Sequence, residues 1–184
     1  MERYCVFLRG INVNGVSIKM EALQQAFIRM GYPDVKTVLA TGNVIVSLED
    51  GATPGAHKTK IESGLCAAFS YDAHVLLRSE AEIASLLDAA GKVAVSEGCH
   101  LYALLIEEPD ALAALKEAFS RASHGQDEQF APLEKDAFWT VPKGNTLNTE
   151  FSKKILGSKR FKSTLTSRNV NTLQKVAAMM GKRP

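Results

Sequence analysis

Cysteine, tryptophan and long apolar runs are all scarce in this chain, and each scarcity excludes something. Three cysteines, Cys5, Cys66 and Cys99, are spread over 184 residues. Odd in number and widely spaced, they do not make the disulfide framework of a small secreted domain. Cys5 sits in an apolar run and Cys66 in a helical stretch, where cysteine serves as a small hydrophobe, so both are expected to fill core. The histidines His57, His74, His100 and His124 show no HxxxH spacing, and no CxxC pair accompanies them. Cys99 and His100, being adjacent, would point to opposite faces of a strand, so no metal site is legible and no cofactor is implied. The strongest apolar run near the start, Tyr4 to Leu8, is far below the ~20 residues of a membrane span and lacks the basic leader of a signal peptide. The expectation is a cytoplasmic protein with no membrane partner.

What is present is ordinary for a globular chain, with 46% hydrophobic and 23% charged residues, which rules out disorder, collagen and coiled coil. The length allows one domain or two small ones, each large enough for its own core. Charge is unevenly placed. Residues 1–140 carry a balance of −7, whereas residues 141–184 carry +9 and only one acid, Glu150. Such a basic quarter could attract phosphate-bearing partners through its field, or it could neutralise an acidic body.

Periodicity gives the organisation. Tyr4 to Leu8 suits a strand buried on both faces, and Met20, Leu23, Phe27 and Met30 recur at helical intervals before Gly31 and Pro33. Val35 to Leu39 and Val44 to Leu48 predict a hairpin around Ala40-Thr41-Gly42-Asn43, followed by a helix with Ile61, Leu65, Ala68 and Phe69 inward and a strand at Ala73 to Leu77. The order βαββαβ implies a ferredoxin-like α-β plait, its first and third strands in the middle of an antiparallel sheet and both helices on one face. A third helix starts at Glu80, with Gly91 to Gly98 as connector. A second βαββ pattern then begins: a strand from His100 to Ile106, a helix capped by Asp110, and a hairpin of Gln129 to Leu133 with Ala137 to Val141. Helices are expected at Glu150 to Leu156 and Asn169 to Met180, and Phe161 to Leu165 is the candidate for a closing strand. The fold class is therefore α+β: a first plait over 1–79, a helix and connector over 80–98, and a second plait-like subdomain with basic helices over 99–184.

Three segments could carry chemistry. The first is Arg9-Gly10-Ile11-Asn12-Val13-Asn14-Gly15-Val16-Ser17-Ile18-Lys19. Gly10 and Gly15 have the Walker A separation, but Val16 stands where the phosphate-binding lysine is required, so an ordered glycine loop is the simpler account. Arg9, Asn12 and Lys19 remain as its candidate ligands. The second is Thr41-Gly42-Asn43, explicable by turn chemistry alone; in the plait its strand connection is expected at the sheet end opposite Arg9, which would separate Asn43 from that loop. The third is Thr166-Ser167-Arg168-Asn169, placed at the start of an amphipathic helix, where free N–H groups favour an anion. Ser167, Arg168 and Asn169, with Lys153 and Lys154 on the preceding helix, would form that site. Its competitor is an N-cap at Thr166 or Ser167 beside a solvated Arg168. No nucleophile elbow or acid–base pair is legible, and Glu107-Glu108 and Glu49-Asp50 fall at strand ends as turn charges.

The runs Leu8-Arg9-Gly10-Ile11-Asn12-Val13-Asn14-Gly15, Thr41-Gly42-Asn43 and Thr164-Leu165-Thr166-Ser167-Arg168-Asn169-Val170-Asn171-Thr172 resemble, in order and over nearly the whole chain, the bacterial family called domain of unknown function 1697. The resemblance implies two α-β plait subdomains and no established activity. Val170 departs from that pattern, in which Trp commonly follows the Arg-Asn pair, and Thr41 stands where Ser is common.

Two functions follow as alternatives. In one, the basic surface binds nucleic acid or another phosphate-bearing ligand. In the other, the protein is an enzyme on a small anionic metabolite held by Arg9, Lys19 and Arg168, with Asn12 or Asn43 orienting it. Stacking of RNA bases is not expected on the first sheet, because Tyr4 and Phe7 fall on opposite faces. Oligomeric state is left open.

Overall fold

A computed structural model, describing residues 1–11, 17–49, 51 and 53–182, shows a mixed α+β chain with two four-stranded antiparallel sheets. It divides into two compact units, Met1–Ser85 with Gln174–Pro184, and Leu86–Leu173. Among the described residues no helix is long and apolar enough to cross a membrane.

The first unit contains β1 (Glu2–Arg9), α1 (Met20–Arg29), β2 (Lys36–Thr37), β3 (Asn43–Leu48), α2 (Pro54–Phe69) and β4 (His74–Ser79). Its sheet runs β2-β3-β1-β4, with the two most apolar strands in the middle as their runs predict. Val6, Leu8, Val44, Val46, Val75 and Leu77 share one sheet face and join Leu23 and Phe27 of α1 and Ile61 and Leu65 of α2 in one core. The alternate residues Cys5, Phe7, Ile45 and Leu76 are buried as well, which is why β1 shows no polar alternation. Three expectations change here, the first being that Ala68 is exposed on α2 and not inward. β2 is shorter than Val35 to Leu39, because Leu39 turns to φ +58° as the chain enters the hairpin. Cys66 is exposed, not core: it follows the buried Leu65 by about 100° of helix rotation and so leaves the apolar stripe.

α3 (Glu80–Ala90) begins with a reciprocal cap. The Ser79 amide donates to Glu82 Oε2 at 2.8 Å, and the Glu82 amide donates to Ser79 Oγ at 3.2 Å. Two otherwise orphaned helix donors are thereby satisfied.

The second unit contains β5 (Cys99–Ile106), α4 (Pro109–Arg121), β6 (Gln129–Pro132), β7 (Ala137–Pro142) and β8 (Leu165–Asn169), before α5 (Val170–Met180). Its sheet order, β6-β7-β5-β8, repeats that of the first. Asp110 lies inside α4, which instead starts with Pro109 after Glu108, a position where a missing N–H costs nothing. Where the first unit places α2, the second has a six-residue π-helix, Phe151–Leu156, and a 3-10 turn, Lys159–Phe161. Phe119, Trp139, Phe151, Phe161 and Leu165 share its core. The closing strand is therefore Leu165–Asn169, displaced from the expected Phe161 to Leu165 by the 3-10 turn.

Candidate functional site

In the first unit, β1 and β3 are antiparallel neighbours with Phe7 opposite Asn43, and the Leu8 N–H donates to the Gly42 carbonyl at 2.8 Å. This overturns the expected separation of Asn43 from Arg9. In an antiparallel pair the start of one strand lies beside the end of the other, so the Arg9 end and the Thr41-Gly42-Asn43 turn occupy the same end of the sheet. Gly42 is required there: it takes φ +74°, and a Cβ would stand 2.8 Å from Ile11 Cδ1. Asn43 is fully buried, and its Nδ2 donates to the Val38 carbonyl at 2.8 Å and to Thr41 Oγ1 at 2.9 Å. Its amide hydrogens thus hold the turn.

Arg9 ends β1 half-buried, opposite His74 of β4. Loss of hydration lowers the guanidinium pKa from its ordinary value. His74 Nε2 lies 3.2 Å from Asp72 Oδ2. Sequence reasoning missed His74, since only strand pairing connects it to a residue so distant in the chain. Lys19 is exposed immediately before α1 and contributes no side-chain cap. Asn12 lies outside the described residues. The corresponding end of the second sheet has the opposite character, with Glu107 and Glu108 exposed and Asp136 Oδ1 accepting from the Ile106 N–H at 2.8 Å.

The late motif differs from its expectation. Thr166 to Asn169 is strand, not helix start, and Arg168 pairs with Ala103 of β5. Arg168 is 9% exposed, and its Nη1 donates to Thr166 Oγ1 and to the Ser167 carbonyl, each at 2.8 Å. The guanidinium is engaged within the strand. Neither Thr166 nor Ser167 caps α5; Asn169 does, its Oδ1 accepting the Asn171 N–H at 2.9 Å. Ser167 is exposed, and Val170 is buried as an apolar residue.

Lys153 and Lys154 lie exposed on the π-helix whose Phe151 is buried, and Lys159, Arg160 and Lys162 follow on or beside the 3-10 turn, also exposed. Five cations thus fall within ten residues. Lys154 Nζ lies 3.1 Å from Glu150 Oε1. That bond, with the Ser123 N–H on the other oxygen at 3.1 Å, holds the Glu150 carboxyl below its ordinary pKa. Lys153, Lys159 and Arg160 have no acidic partner among the described residues. Arg160 lies over the Phe161 ring, 5.4 Å from its centroid, which orders its stem. Among the described residues no Phe, Tyr or Trp side chain is fully exposed to offer a stacking platform.

A family model described as protein of unknown function (DUF1697) matches residues 1–138. The solved structure of conserved bacterial protein SP0830 from Streptococcus pneumoniae is similar over 99% of both chains, with a TM-score of 0.74 and 20% identity. At that identity the likeness concerns the fold alone. No curated protein matches the chain.

Proposed function

We propose that this chain, which belongs to DUF1697, a family of unknown function, binds the phosphate backbone of nucleic acid through the basic segment 153–162. The observation that carries this reading is the set of five exposed cations in ten residues, three of them without an acidic partner among the described residues. Short π-helical and 3-10 turns project these side chains outward while Phe151 and Phe161 anchor the segment in the core. Cations so arranged neutralise phosphates and release counterions without reading bases. The lack of a fully exposed Phe, Tyr or Trp among the described residues favours contact with the phosphate backbone over base stacking.

Fluorescence anisotropy of a labelled single-stranded oligonucleotide over 50 to 200 mM salt tests the proposal. Wild type should weaken steeply with salt, and replacing Lys153, Lys159 and Arg160 with Gln should flatten the log–log slope by about 2, roughly 0.7 per phosphate contact. Absence of binding, or a slope unmoved by the triple substitution, rejects it.

A second reading, binding of a small anionic metabolite at the cationic end of the first sheet, draws support from the half-buried Arg9 opposite His74. A thermal-shift screen separates the two. A metabolite at about 100 times its Kd adds roughly 2.7 kcal/mol, and in this case Arg9→Gln should abolish the shift while the triple substitution leaves it intact.

A further inference from the structure

Among the described residues, two buried side-chain polar atoms have no hydrogen-bond partner, the Tyr71 hydroxyl and Ser158 Oγ. Ser158 lies inside the basic segment, between the π-helix Phe151–Leu156 and the 3-10 turn Lys159–Phe161. Its backbone is already occupied. The Ser158 N–H donates to the Ile155 carbonyl at 3.0 Å, and its carbonyl accepts from the Phe161 N–H at 3.4 Å. The preceding Gly157 fixes this connection, since its N–H donates to the Ser152 carbonyl at 3.0 Å and a Cβ on it would lie 3.1 Å from the Lys153 carbonyl oxygen. Ser152 contrasts with Ser158: its hydroxyl donates to the Thr149 carbonyl at 3.0 Å. The Ser158 hydroxyl makes no such bond and does not cap the turn that follows it.

A buried hydroxyl without a partner carries a desolvation cost that an incoming group can offset by supplying the acceptor. The surroundings narrow what that group is. Lys159 and Arg160 follow Ser158 directly and Lys153 precedes it, all three exposed and without an acidic partner among the described residues. An acceptor drawn into such a field bears negative charge. Phosphate oxygens are contacted in this way, by serine hydroxyls together with lysine and arginine side chains. Ser158 is itself only half-buried, and its side chain has a single rotatable bond, so a change of χ1 rotamer turns Oγ toward a ligand without moving the backbone.

We propose that Ser158 Oγ donates to a non-bridging oxygen of one backbone phosphate and so positions that phosphate between Lys159 and Arg160. The inference rests on the nucleic-acid reading above and names the residue that fixes the strand on the segment. A neutral donor releases no counterion. Ser158→Ala should therefore weaken the labelled oligonucleotide by about fivefold to tenfold at each salt concentration while the log–log slope stays at the wild-type value, the converse of replacing Lys153, Lys159 and Arg160. Its melting temperature should equal or exceed that of wild type, because an unpaired hydroxyl is removed. Ser163→Ala, at an exposed serine of the same stretch, should bind as wild type does. Wild-type affinity in Ser158→Ala, beside a slope flattened by the triple substitution, overturns the assignment and leaves the basic segment standing. A flattened slope or a lowered melting temperature in Ser158→Ala, or an equal loss of affinity in Ser163→Ala, also overturns it. No binding by wild type, or a slope unmoved by the triple substitution, removes both readings together.

Discussion

The Leu8 amide donates to the Gly42 carbonyl at 2.8 Å, so the end of β1 and the turn before β3 are one piece of structure although 34 positions separate the two residues. Gly42→Ala should unsettle both. It would place a Cβ at φ +74° within 2.8 to 3.0 Å of Ile11 and Leu8 side-chain atoms, combining backbone strain with overpacking for a loss of about 2 to 4 kcal/mol. Urea denaturation reads this directly; a wild-type midpoint would mean that the turn opens freely.

Arg168→Gln is expected to destabilise the second unit by about 2 kcal/mol, the range for hydrogen bonds from a charged donor. The cause is loss of the bonds to Thr166 and Ser167 within β8. Oligonucleotide affinity of the folded fraction should stay at the wild-type value. Unchanged stability with weakened binding would return Arg168 to the ligand site.

Alkaline stability should be limited by two phenols. Burial pushes Tyr32 up to about 12, and burial with the Glu62 charge does the same for Tyr71. Both phenols ionise near 10 in the unfolded chain, so between about 10 and 12 the folded state binds more protons and stability falls as pH rises. Below 10 that loss is absent. Tyr71→Phe should flatten the decline, measured by melts across that window. Because the buried Tyr71 hydroxyl has no partner among the described residues, the same variant should be neutral or more stable by about 1 kcal/mol at pH 7.

Thiol labelling distinguishes the cysteines. Cys66 is exposed on α2, whereas Cys5 is buried in β1. Iodoacetamide on the folded protein, followed by peptide mass spectrometry, should modify Cys66 first and Cys5 only after denaturation. Rapid native labelling of Cys5 would show that β1 opens.

The order of the first sheet was accessible from the sequence because apolar periodicity is a local signal and crossover handedness restricts the topology. β8 was not, because Thr166, Ser167, Arg168 and Asn169 are polar and read locally as a helix entrance. Their strand state comes from pairing with Tyr102 to Leu105 of β5, a long-range contact that overrides propensity. The same limit hid His74 beside Arg9, where the two residues come from different strands. The basic segment was legible as charge, but not as exposed π-helical and 3-10 turns. Cys66 could have been placed correctly, since it falls one residue off the Ile61–Leu65 stripe.

The grouping of residues 174–184 with the first unit has a consequence for biosynthesis. Arg3 in β1 donates to the Met180 and Lys182 carbonyls, contacts that close a loop of nearly the entire chain. A protein growing from its N-terminus can assemble its first sheet early, but those partners of Arg3 leave the ribosome only after the whole second unit has been synthesised. The part begun first is completed last, so nascent chains stalled after residue 173 should present an unfinished first unit, more open to protease than the finished protein.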